Sequence, residues 1–171
     1  EATLARGDSF ERLLQRAGVG AAEADLIASL VASEVPLAEI EPGTHVDITL
    51  GRRPAPNAKR PLEALSFRAR FDLQLAIERQ GGRLVLDPRP ITVDSTPLRI
   101  RGVVGPSLYR SARAAGAPAS SVQQYLRTLG TEVDFDSGIA SGDEFDLIVE
   151  YKRAATGEVE VGKLLYAANL R

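Results

Sequence analysis

The strongest constraint on this chain lies in its middle, where Phe67, Ala69, Phe71, Leu73, Leu75 and Ile77 alternate with Arg68, Arg70, Asp72, Gln74 and Ala76. A period of two sorts side chains onto the two faces of a strand, and no helix sustains it. Gln80-Gly81-Gly82 then supplies a turn, and Leu84-Val85-Leu86 returns. The segment reads as one long antiparallel hairpin. Pro88 and Pro90 stop its second strand or push it to a sheet edge, because proline donates nothing to a ladder.

The first fifty residues follow a different rhythm. After the short run Glu1 to Arg6, Asp8 or Ser9 is placed to cap a helix carrying Phe10, Leu13 and Leu14 at helical spacing. Gly18 and Gly20 end it. A second helix starts near Ala21, with Ala24, Ile27, Ala28 and Val31 on one face, and Pro36 closes it. Beyond the Glu41-Pro42-Gly43 turn, Val46, Ile48 and Leu50 alternate with Asp47 and Thr49 as in a half-buried strand. The order is strand, helix, helix, strand.

Residues 51–62, with three prolines and four basic residues and no periodicity, read as a linker, which predicts modules at 1–52 and 62–171. In the second, an extended run from Leu98 to Val104 precedes a helix with Leu108, Ala112 and Ala115, closed by Gly116. A further helix runs from about Ser120 to Leu129, its face made by Val122, Tyr125, Leu126 and Leu129, and Gly130 supplies the stop. Val133 and Phe135, the turn Ser137-Gly138, and a closing hairpin of 145–152 with 158–168 complete the pattern. The fold class is α+β, a βααβ module followed by an antiparallel-sheet module with a helical pair.

With 171 residues, 44% of them hydrophobic, the chain can build a core. A net charge of −2 gives it no global field toward nucleic acid. It has no cysteine, hence no disulfide or thiolate metal site, and no apolar stretch long enough to span a bilayer. It begins at Glu1 and contains no methionine, so a processed or excised piece of a longer product is the expectation.

Four elements occur in order: Gly102-Val103-Val104, Ser107-Leu108-Tyr109, Val133-Asp134-Phe135 and Gly142-Asp143-Glu144-Phe145. Together they resemble the segment that precedes the catalytic domain in lysostaphin-type (LytM) zinc endopeptidases of Gram-negative bacteria, which cut peptidoglycan cross-links. The resemblance covers about residues 65 to 170. The front module resembles the LysM family of glycan-binding modules, although residues 21–35 make a longer helix and the following loop has no asparagine. In a LysM-like fold the loops around Asp8, Ser9 and Phe10 and from Leu37 through Pro42 to Gly43 lie side by side, forming a shallow groove for N-acetylglucosamine-containing glycan. The competing reading is a module used only for packing.

The peptidase family draws its zinc ligands from His-x-x-x-Asp and His-x-His pairs. With His45 as its one histidine, this chain carries no such site, so no cofactor is expected in it and zinc belongs to a domain outside it. The resemblance therefore implies a non-catalytic, regulatory and wall-targeting region in the periplasm, restraining or positioning a zinc domain by autoinhibition or placement. Its expected partners are peptidoglycan and its own catalytic domain or an envelope protein. The alternative is an envelope adaptor that activates a separate murein hydrolase.

The other chemical candidates have blander readings. His45 reads as a strand-end residue with no second ligand near it in sequence. Asp134, Asp136, Asp143, Glu144 and Asp146 fail as a calcium loop, because Ile139 and Phe145 stand where glycine and glutamate are required, and read as turn and solvated acids. Ser107, Ser111, Ser120 and Ser121 lack a base, and Ser120 reads as a helix cap. Arg52, Arg53, Lys59 and Arg60 read as a solvated charge run, and Gly81-Gly82 and Gly102-x-x-Gly105 lack the strand-to-helix spacing of a phosphate loop.

Overall fold

A computed structural model describes residues 1–132 and 141–170. The expected Val133 and Phe135 strand, the Ser137-Gly138 turn, and Asp134 and Asp136 lie outside the described residues, as do the side chains of residues 129–132. The chain is α+β and divides into two compact units, Glu1–Thr92 and Val93–Arg171.

Unit 1 contains β1 (Ala2–Thr3), α1 (Phe10–Arg16), α2 (Ala21–Ala32), a short 3-10 turn at Leu37–Glu39, β2 (His45–Leu50), β3 (Leu62–Arg70), β4 (Leu73–Gln80) and β5 (Arg83–Pro90). Its five strands form one antiparallel sheet in the order β1-β2-β3-β4-β5. Both helices pack on one face. Phe10, Leu13 and Leu14 of α1 and Ala24, Ile27 and Val31 of α2 are buried with Val46, Leu65, Phe67, Leu75 and Ile77 of the strands. The α2 face is the one its spacing predicts.

Two expectations are corrected here. The division between units falls at Thr92, and residues 51–61 connect β2 to β3, which are hydrogen-bonded neighbours. Prolines and charges in that stretch make a loop within one sheet, with the Gly51 N–H donating to the Pro61 carbonyl at 2.7 Å. The alternating run is also two strands: β3 and β4 pair antiparallel around a turn at Phe71 and Asp72, so β3, β4 and β5 form a meander. Arg68 donates to the Phe71 carbonyl and its guanidinium lies 4.9 Å from the Phe71 ring centroid, which holds the turn without glycine. Proline-bearing β5 sits at the sheet edge.

Unit 2 contains β6 (Val93–Asp94), β7 (Leu98–Val103), α3 (Leu108–Ala114), α4 (Ala119–Glu132), β8 (Glu144–Ala154) and β9 (Val159–Leu170). The long β8 is the central strand, pairing antiparallel with β6, β7 and β9. One face of the sheet, carrying Ile100, Phe145, Leu147 and Val149, is buried with Leu108 and Ala112 of α3 and Val122 and Tyr125 of α4. Gly102 lies against the Phe145 ring, where any side chain would collide. Ser107 caps α3, whereas Ser120 and Gly130 fall inside α4 instead of bounding it.

Candidate functional site

Leu4 joins the two loops expected to flank each other. Its N–H donates to the Thr44 carbonyl at 3.0 Å, and its own carbonyl accepts from the Gly43 N–H at 2.7 Å. One chain end of each turn is thereby fixed to the other. The Asp8 N–H folds back onto the Ala5 carbonyl at 3.1 Å, with Gly7 at φ +77°, and Gly43 takes φ +92° in the partner turn.

Most of the named side chains in these turns are committed to structure. The Asp8 carboxylate is buried and ion-paired with Arg16 in the last turn of α1. The Ser9 hydroxyl accepts from the Arg12 N–H at 3.1 Å and caps α1. Phe10 is only 4% exposed, its ring centroid 5.2 Å from that of Phe67, so it cannot present a ring to sugar. The cap places the first helical residue against the sheet. Leu37 packs on the same core, and Gly7, Ser9, Pro42 and Gly43 are exposed, as are Glu39 and Glu41 of the second loop.

A different concavity lies in unit 1. It encloses about 340 Å³ and is lined by Glu1, Ala2, Thr3, Leu13, Arg16, Ala17, Ile48 and Leu50. Its apolar lining comes from Leu13, Ile48 and Leu50, and its charges are Glu1 and Arg16.

In unit 2 the acidic residues separate. Asp146 is buried on the sheet face opposite Phe145 and Leu147, and Arg99 grips it with two bonds, Nε to Oδ1 at 3.2 Å and Nη2 to Oδ2 at 2.8 Å. Arg101 adds a contact at 3.3 Å. The hydrogen bond from Arg99 holds the Asp146 carboxyl below its usual range, against the opposing effect of burial. Asp143 accepts from the Asn169 amide at 3.1 Å, and Glu144 is exposed. Tyr125 donates to the Ala168 carbonyl, and burial pushes its phenol up to about 12. This arrangement stabilises a sheet, with Asp143 and Asp146 both committed to partners.

Among the remaining candidates, His45, Ser111 and Arg60 are held by neighbours. His45 is exposed, its Nδ1 3.0 Å from the Thr3 hydroxyl and 3.3 Å from the Glu1 carboxylate. Ser111 donates to the Ser107 carbonyl at 2.8 Å and accepts from the Gly105 N–H at 2.9 Å. Ser121 is buried in α4. Arg60 donates to the carbonyls of Gly51 and Leu50 at 2.8 and 2.9 Å, while Arg52, Arg53 and Lys59 are exposed. Among the described residues no group of three or more histidine, aspartate or glutamate side chains converges.

No family model and no curated protein matches this chain. Solved structures do. The chain shares the fold of a zinc-containing peptidase from Vibrio cholerae, at 19% identity and a TM-score of 0.54, over 98% of this chain and 52% of that one. It is also similar to Csd3 from Helicobacter pylori, at 19% identity and a TM-score of 0.51, over 88% of this chain and 39% of that one. The chain thus spans about half the length of the first structure and less of the second. At these identities the likeness is one of fold.

Proposed function

We propose that the chain is the non-catalytic region of a lysostaphin-type peptidoglycan endopeptidase of the periplasm, restraining or positioning a zinc domain of the same polypeptide. The observation that carries this reading is the extent of the fold match. It takes in nearly all of this chain, 98%, yet only 52% of a zinc-containing peptidase. A single histidine leaves the chain short of the imidazoles that the lysostaphin-type zinc motifs use. Hydrolysis then belongs to the remaining part of such a protein.

The exposed side chains of unit 2 suit a region that packs on a second body. Val103, Leu165 and Tyr166 are 60%, 51% and 48% exposed, and apolar area of this kind is stabilised by cover. A contact that is made in one state and released in another would open or close a neighbouring groove through its differential free energy alone. The wall-facing surface in this reading is the exposed pair of turns in unit 1, at Gly7, Ser9, Pro42 and Gly43.

The test is muropeptide release from purified sacculi by the parent polypeptide and by its zinc domain alone. Faster release by the zinc domain alone, slowed again when this chain is added back, is expected. Equal rates, or a parent polypeptide without a zinc domain, overturns the reading.

A further inference from the structure

The outer edge of β5 is open along part of its length. Gln80 and Arg83 flank the two-residue turn Gly81-Gly82, whose glycines take φ +57° and +80°, so these flanking residues exchange backbone bonds. From there the register runs without a break to Leu73 opposite Pro90. The odd-numbered residues of β5 therefore face β4, while Leu84, Leu86, Pro88 and Pro90 turn their backbone away from it. Pro88 and Pro90 have no N–H to offer on that side. Leu84 and Leu86 have both donor and acceptor, and among the described residues neither makes a hydrogen bond there. A strand edge of this kind accepts a further strand.

The residues along the edge fit a copy of themselves. Antiparallel pairing about a two-fold axis at Val85 sets Leu84 opposite the partner's Leu86 and Leu86 opposite the partner's Leu84, and both are hydrogen-bonded pairs. The same register sets Arg83 opposite the partner's Asp87, and Asp87 opposite the partner's Arg83, with all of these side chains exposed. Arg83 has no carboxylate partner among the described residues, and Asp87 meets Arg89 at 2.9 Å on the open surface. Val85, 38% exposed, meets the partner's Val85 at the axis. On the helix side, half-buried Leu84 lies against the partner's Leu86. Sliding the pairing toward the prolines would bring Arg83 opposite the partner's Arg89 and Leu84 opposite the partner's Pro88, which loses charge complementarity and a donor together.

We propose that β5 pairs with the β5 of a second copy of this chain, joining two five-stranded sheets across a two-fold axis at Val85. Pro88, Pro90 and the Gly81-Gly82 turn limit the seam to a few residues, so the dimer is weak and forms with rising concentration. The surface lies wholly within unit 1 and is independent of the proposed role beside a zinc domain.

Sedimentation equilibrium of the whole chain, from about 10 μM to about 1 mM, is the test. The average mass is expected to rise from 18.3 kDa toward twice that value. Arg83→Asp alone, or Asp87→Arg alone, brings like charges together at both ends of the seam and should weaken association about tenfold or more. The double variant Arg83→Asp/Asp87→Arg restores opposite charges and should recover it, as should an equal mixture of the two single variants. Both positions are exposed, and circular dichroism checks the fold of each variant. In the unsubstituted chain, exchange of the Leu84 and Leu86 amides should slow as concentration rises. A chain that stays at 18.3 kDa throughout, a dimer indifferent to both reversals, or a double variant as weak as the single ones overturns the proposal.

Discussion

Replacing Glu23 with alanine removes a side chain that ties α2 to the strand end at which β3 begins. Glu23 accepts from the buried Leu62 N–H through Oε1 and from Arg79 Nη2 through Oε2, the latter at 2.9 Å. Arg79 in turn donates to the Leu62 carbonyl at 2.8 Å and to the Gly82 carbonyl at 3.3 Å. The Glu23 and Arg79 side chains are 26% and 22% exposed, so water replaces only part of what is lost. Gly20 gives α2 no side-chain cap, which makes an acid in the first turn more valuable to the helix. Net hydrogen bonds to charged groups contribute about 1.5 to 3 kcal/mol each. With two bonds removed and partial hydration regained, Glu23→Ala is expected to cost unit 1 about 2 to 3 kcal/mol. For a unit of this size that lowers the midpoint by about 10 to 20 °C. Glu23→Gln keeps an acceptor for the Leu62 N–H and should cost about half as much. The assay is thermal and urea unfolding followed by residue-resolved amide exchange, which reports Leu62 directly. A loss below about 0.5 kcal/mol, or a Leu62 amide that exchanges no faster, refutes the clamp.

Three further outcomes follow from unit 2. A Cβ on Gly102 would lie 2.5 Å from the Cζ of Phe145, itself 2% exposed, so Gly102→Ala should destabilise the unit by about 1 to 3 kcal/mol. All four tyrosines lie in this unit, and unfolding followed by their fluorescence reads it. Burial keeps Tyr125 neutral up to about pH 12, against the ordinary 10, so an ultraviolet titration should show one phenol ionising near 12. The folded state then holds a proton that the unfolded state loses, and stability falls as pH rises from 10 to 12 with no contribution below 10. Asp146 has the opposite sign. Its carboxyl is depressed by the Arg99 hydrogen bond, so its contribution is present above the ordinary 3.8 and is lost as pH falls through the lower folded value. Asp146→Asn should flatten the acid limb of a stability profile measured by urea titration.

How far the sequence leads depends on whether a feature is written in local chemistry. Ser9 as a cap, the buried face of α2 and the edge position of β5 each follow from residues within a few positions, and each is observed. The Phe71-Asp72 turn is not written that way. A register shift between Arg68 and Arg70 makes the ladder pair residues of like parity, as Phe67 with Leu75, so Ala69 and Leu73 both stay on the core side across the reversal and the alternation runs on unbroken. With Phe and Asp in place of Gly or Asn, nothing marks the bend except Arg68 and Arg70, whose partners at Phe71 and Asp72 are visible only once folded. The same limit governs the site. Asp8, Ser9 and Phe10 were placed beside the 37–43 loop by motif, and Leu4 does join the two turns. The motif carried no information on which side chains the fold consumes: an ion pair, a cap and a core contact take all three.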